Sequence, residues 1–359
     1  MSATSKNDVY YAGRSKVMCA NRSLGTEQCI MDFTVSDYHS NYSGRMKVST
    51  LAAGHGVLIA GGFGGEYAMK SLSADFDSKH TEGVVTEHDN GITNHVQTVS
   101  NRRSGLPQAI FASNDRYIRT LDCNTNTFVA EHKYRWAVNC TATSPDGRLR
   151  VVVGDHKHGF ICNADTGHPI LRLRNHQDYG FACAWADDGI HVATGNQDAT
   201  VQIWDARMWG RPLQIIASEI AGVRSLRFSP VGGGRRVLLM AEPADIISVV
   251  DAESFQSKQR FDVFGEIAGV SFTPDGSEFF VANTDKMFGG LMAYERIGHG
   301  EKYGMRYLRQ REIEDAGDEY YDEKAFEWVA DRDLDDDDRV ETTSAQRGRR
   351  GLGLDSLIL

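Results

Sequence analysis

Proline is scarce in this chain, at 7 of 359 residues, which excludes a Pro-rich linker or a collagen-like period. No stretch approaches 18 apolar residues, so a membrane-spanning helix is excluded. The start, MSATSKNDVYY, lacks the apolar core of a secretory signal. Six cysteines, at 19, 29, 123, 140, 162 and 183, form no C-x-x-C pair. With no secretion signal they predict reduced, mostly buried thiols in a cytoplasmic or nuclear protein. Before residue 300 no window holds a 3.6-residue apolar period through a full helix, so helices have little place. The net charge of −10 is concentrated late: residues 299–359 hold 17 acids and 10 bases, and the rest is near neutral. A near-neutral body without a basic stripe argues against nucleic-acid binding, which depends on neutralised phosphates.

What the chain does have is glycine, at 36 residues, and a turn that recurs. It reads SPDG at 144–147, ADDG at 186–189, SPVG at 229–232 and TPDG at 273–276, in steps of 42, 43 and 44 residues. Short apolar strands flank each turn, such as FACAW (181–185) before and HVATG (191–195) after. Asp-Gly and Pro-Asp-Gly supply the positive φ that tight hairpins demand. Weaker copies stand at SNRRSG (100–105) and AGHG (53–56). A period of about 40–45 residues with four short strands per unit predicts an all-β chain built of propeller blades.

One unit carries a more specific pattern. His176 to Asp205 reads HQDYGFACAWADDGIHVATGNQDATVQIWD and resembles a complete repeat of the WD-repeat (β-transducin-like) family. The resemblance implies a buried hydrogen-bonded tetrad of His176, Thr194, Asp198 and Trp204, with Asn-His in place of the usual Gly-His. The chemistry is consistent: the turn Asp accepts from imidazole, imidazole accepts from Thr, and the indole N–H ends the chain. A catalytic His-Asp-Thr set is the alternative, and the structural role is preferred. Other units lose the tetrad: Leu121, Ala164 and Val250 stand where Trp is expected, so apolar packing and strand ladders are expected to hold those blades.

The segments ATSKNDVY (3–10), AGGFGGE (60–66), NGITN (90–94), MAEPAD (240–245) and FGEIAGVSF (264–272) are similar to an uncharacterised fungal subgroup of that family, with plant relatives. The expected architecture is a seven-bladed propeller over 1–298, six full blades plus a partial N-terminal one, followed by an acidic tail over 299–359. In the partial blade, ATSKNDVYYAG reads as a second strand, an Asp turn at Asp8 and a third strand, with no first strand before it. Either the C-terminal region completes that blade or the start omits residues; an open ring would expose a strand edge, which natural proteins avoid, and a truncated first blade is the preferred reading. In the tail, DLDDDDR is a like-charge block expected to be solvated. The Leu-rich end, Leu352 to Leu359 beside Arg347, Arg349 and Arg350, could serve a partner or be an incidental end.

Chemical motifs are otherwise weak. AGGFGGE lacks phosphate-loop spacing and falls on a second-to-third-strand turn. HKH (156–158) has no third ligand spaced for zinc and is expected on a turn. No catalytic residue, cofactor or metal site is expected. WDAR (204–207) resembles the ending found in WD-repeat receptors of cullin–RING ubiquitin ligases, which implies an adaptor contact through Asp205 and Arg207. The repeat alignment puts Trp136, Asn139, Tyr179, Phe181, Arg224 and Glu266 near the starts of first strands, the top-face opening in this family, as candidates for protein binding. The expected function is a non-catalytic protein-interaction scaffold. The alternatives are a ligase substrate receptor and, further off, an enzyme with a site at the channel mouth.

Overall fold

The computed structural model describes residues 1–34, 45–73, 78–232, 234–287 and 289–298, and the strand backbone at 326–330. Among these residues there is no helix. The first ladder comprises β1 (Ser2–Ala3), β2 (Asp8–Ala12), β3 (Lys16–Asn21) and β4 (Thr26–Asp32). The second holds β5 (Val48–Gly54), β6 (Val57–Gly62), β7 (Glu66–Ser71) and β8 (Thr81–Val84). The third holds β9 (Thr93–Ser100), β10 (Pro107–Ser113), β11 (Tyr117–Asp122) and β12 (Thr127–Lys133). The fourth is β13 (Val138–Thr143), β14 (Leu149–Gly154), β15 (His156–Asn163) and β16 (Pro169–Leu173). The fifth is β17 (Gly180–Trp185), β18 (His191–Asn196), β19 (Thr200–Asp205) and β20 (Gln214–Ala217).

The remaining strands form one seven-stranded sheet: β21 (Ser225–Phe228), β22 (Val237–Ala241), β23 (Ala244–Asp251), β24 (Lys258–Phe272), β25 (Glu278–Asn283), β26 (Gly290–Gly298) and β27 (Phe326–Ala330). Its first half of β24 pairs with β23 and its second half with β25. Phe264 and Gly265, at φ +46 and +116, redirect the chain between the halves. One long strand is therefore the outer edge of the sixth ladder and the inner edge of the seventh. The first strands touch in sequence around the molecule, and β1 touches both β5 and β24, which closes a seven-bladed ring.

The glycines of the recurring turn have the conformation their positions require: Gly147, Gly189, Gly232 and Gly276 lie at φ +68, +72, +99 and +68. The weaker copies do the same at Gly56 (+80) and Gly105 (+72). Middle strands are buried on both faces, as in VLIAGG of β6, whereas outer strands such as β20 alternate towards solvent. That is why the second and third strands read as continuous apolar runs. The core lies at the seams between blades: Cys140, Val151, Val153 and Ile161 of the fourth ladder pack with Cys183, Val192 and Trp204 of the fifth.

Three sequence expectations change. Asp8 opens the second strand rather than separating the second from the third, and Ser2–Ala3 is a two-residue first strand paired with Val9 and Tyr10. The strand supplied by the C-terminal region, β27, completes the seventh ladder and not the first. HKH lies at the start of strand β15, because Gly154 pairs with His156 and the chain reverses at Asp155 alone. The acidic block and the Leu-rich end lie outside the described residues.

Candidate functional site

The strands run up and down the ring, so one face carries the second-to-third-strand turns and the connections between blades. This top face positions both the tetrad and the candidate binding residues; the SPDG-type turns and the third-to-fourth-strand turns lie on the opposite face.

In the fifth blade the four tetrad side chains meet. His176 Nδ1 lies 3.0 Å from Asp198 Oδ2, and His176 Nε2 lies 3.0 Å from Thr194 Oγ1. Trp204 Nε1 donates to the same hydroxyl at 3.0 Å. His176, Thr194 and Trp204 are all at most 2% exposed. Asp198 also accepts the Gln177 amide at 2.8 Å and the Thr200 hydroxyl at 2.7 Å. Burial opposes ionisation of Asp198, yet the hydrogen bonds from His176, Gln177 and Thr200 outweigh it and hold its carboxyl down at about 2. The backbone assists: Ala199, just after the Asp, sits at φ +57, and Gly65, Arg116 and Asp245 repeat that positive φ in the same turn of other blades.

The blades without the tetrad are not all held by apolar packing. In the third, Asp115 and Arg119 form a buried ion pair at 2.8 Å, and Arg119 lies 4.5 Å over the Tyr117 ring. In the fourth, the register puts Cys162, not Ala164, opposite β14 where Trp204 stands opposite β18. Val250 does hold that place in the sixth blade.

The top-face candidates divide. Trp136 is half-buried and stacks on Phe160 at 4.5 Å and 23°, with His156 at 4.9 Å. Asn139 is a tie between blades, donating to Asp155 Oδ1 and to the Gly180 carbonyl at 3.0 Å each, with Asn94 at 3.3 Å. Both are occupied with packing. Tyr179 is 48% exposed, and Arg224 lies 4.1 Å over the Phe181 ring. Glu266 is half-buried, and burial pushes its carboxyl up. Ile220, Phe264 and Met287, absent from the sequence candidates, are 66%, 60% and 84% exposed on the same face. Ile220 lies on the connection between the fifth and sixth blades, Phe264 at the bend of β24 and Met287 on the β25–β26 turn.

On the opposite face Arg207 folds back on Asp205, donating from Nη2 at 2.7 Å and from Nε at 3.0 Å. That hydrogen bonding holds the Asp205 carboxyl down at about 2. Among the described residues no group of three or more His, Cys, Asp or Glu is placed to hold a metal ion.

Residues 167–205 match the family model for the WD domain, G-beta repeat, which spans the tetrad. An uncharacterised protein of Schizosaccharomyces pombe is 26% identical over 256 residues, 65% of this chain and 70% of that protein. The nuclear distribution protein PAC1 of Arthroderma otae is 26% identical over 173 residues, 40% of this chain and 37% of that protein. Its counterpart in Arthroderma benhamiae is 24% identical over 205 residues, covering 49% and 43%. The chain thus spans less than half of either PAC1 protein.

Proposed function

We propose that this chain, a WD-repeat β-propeller protein, acts as a non-catalytic protein-interaction scaffold whose partner surface is the top face of blades five to seven. The observation that carries the reading is the exposure of Tyr179, Ile220 and Phe264 where the chain passes between blades and of Met287 on the β25–β26 turn, beside the Arg224–Phe181 pair. Aromatic and Arg side chains on a rigid rim are the types that dominate binding energy. The tetrad lies beneath this surface and holds the fifth blade's connection in place. All six thiols are free, which supports a cytoplasmic or nuclear site of action, tested by imaging the tagged chain.

The test is affinity capture with wild type and a Tyr179→Ala/Arg224→Ala double variant. A protein recovered stoichiometrically by wild type and lost by a variant of unchanged melting temperature supports the scaffold. Equal recovery of every stoichiometric partner by both proteins counts against this surface.

A second reading, a substrate receptor of a cullin–RING ligase, is favoured by one observation: Arg207 of WDAR is largely exposed on the bottom-face turn. An adaptor carboxylate would have to replace Asp205 as its partner. Co-precipitation of the adaptor that depends on Arg207 supports this reading.

A further inference from the structure

The bottom face holds a cleft of about 620 Å³ at the seam between the third and fourth blades, bordered by His55 of the second and Trp185 and Asp187 of the fifth. Its wall includes Gln97, Arg102, Arg103, Thr143, Arg150 and Trp185. Arg150 is the one charge in the apolar strand Leu149–Gly154 and is 4% exposed. Its Nε donates to Thr143 Oγ1 at 3.3 Å, while its buried Nη1 has no hydrogen-bond partner. Among the described residues it forms no ion pair: the nearby Asp165 is taken by Arg102. Trp185, 9% exposed, has an indole N–H that is likewise buried and unpartnered. Native chains rarely leave such donors unsatisfied, and a cation buried without a carboxylate is costly. Two orphaned donors line one hollow.

We propose that this cleft is a binding site for an acidic peptide segment of a partner protein, with a carboxylate seated on Arg150, Trp185 further along the wall and Arg103 at the rim. The planar guanidinium, already held at Nε, has the fork that a two-oxygen carboxylate fits. The wall carries Arg102, Arg103 and Arg150 against Asp165 and Asp187, an excess of a single positive charge. That balance suits a monoanionic carboxylate better than a dianionic phosphate. The hollow also continues past the arginines to Val129, Ala130 and Pro145, which leaves room for flanking peptide. This site is separate from the top face and does not depend on the function proposed for it.

The test uses the full-length chain and a dye-labelled, end-blocked hexapeptide of Glu and Ser, its Gln counterpart, and inorganic phosphate as competitor, read by fluorescence anisotropy. The Glu peptide binds, and the Gln peptide binds at least about tenfold more weakly, since charge-assisted contacts are lost. Arg150→Met loses binding by about tenfold or more while melting at or above wild type, because an apolar residue replaces an uncompensated buried charge. Trp185→Phe and Arg103→Ser each weaken binding by a smaller factor, and they carry the test if Arg150→Met does not fold. Equal binding of the Glu and Gln peptides overturns the proposal, as does wild-type affinity in all the folded variants. Phosphate binding without peptide binding overturns the carboxylate assignment.

Discussion

Trp204 donates its indole N–H to the Thr194 hydroxyl over 3.0 Å, and the two residues are 1% and 0% exposed. Neither can turn to water if the other is lost. Removing Asp198, the far end of the same chain, leaves the buried Nδ1–H of His176 unpaired, while the exposed Gln177 amide can turn to water. Asp198→Ala is expected to cost about 1–3 kcal/mol for the group so stranded. Trp204→Ala adds a cavity at the seam of blades four and five and is expected to cost about 3–5 kcal/mol. Thermal melts measure both, and any loss of partner binding follows from unfolding alone.

Acid weakens the same network. The Asp198 carboxyl sits at about 2 in the fold, below the ~3.9 of an unfolded chain. Its contribution is therefore complete above about pH 4 and is lost as pH falls through about 2. The stability gap between wild type and Asp198→Asn is expected to narrow across that window. Urea melts at stepped pH values check it; a constant gap contradicts the network's charge.

Two glycines of positive φ separate strain from collision. Gly189 lies at φ +72 with open space where a Cβ would go, so Gly189→Ala is expected to cost about 1–2 kcal/mol of backbone strain. Gly65 lies at φ +85, and a Cβ there runs into the Thr86 carbonyl oxygen. Gly65→Ala is expected to cost more, on the order of 3 kcal/mol or above. Denaturant midpoints of the two variants, compared at equal m-value, give the order.

Arg207→Ala changes an exposed side chain whose contacts are to Asp205 two residues away. Its melting temperature is expected to match wild type, as for a surface change away from the core. Melting and adaptor co-precipitation on one preparation separate a surface contact from a folding defect.

The sequence disclosed the blades because each turn needs a residue that tolerates positive φ, and glycine marks Gly147, Gly189, Gly232 and Gly276. The tetrad was legible because four hydrogen-bonding types must recur at fixed offsets to meet. What failed lacked such a marker. The reversal at Asp155 is a single residue between the paired Gly154 and His156, with no multi-residue turn motif, so HKH reads as turn in the sequence and is strand in the fold. Trp136 looked like a rim residue because its stacking partner, Phe160, comes from a different strand of the blade. The outer strand of the sixth blade and the inner strand of the seventh are one strand, β24, with only Gly265 as a hint of the bend. Arg150 did carry a signal, a lone cation in a strand buried on both faces, but the sequence does not say whether a neighbour neutralises it.

The central claim is that partners are held on the top face of blades five to seven. Hydrogen exchange on the full-length chain, free and with its captured partner, tests it most directly. The account predicts new protection at 178–181, 218–224 and 262–267, with the bottom turns at 229–232 and 273–276 unchanged. Protection confined to those bottom turns, with the top connections exchanging as in the free chain, would contradict it.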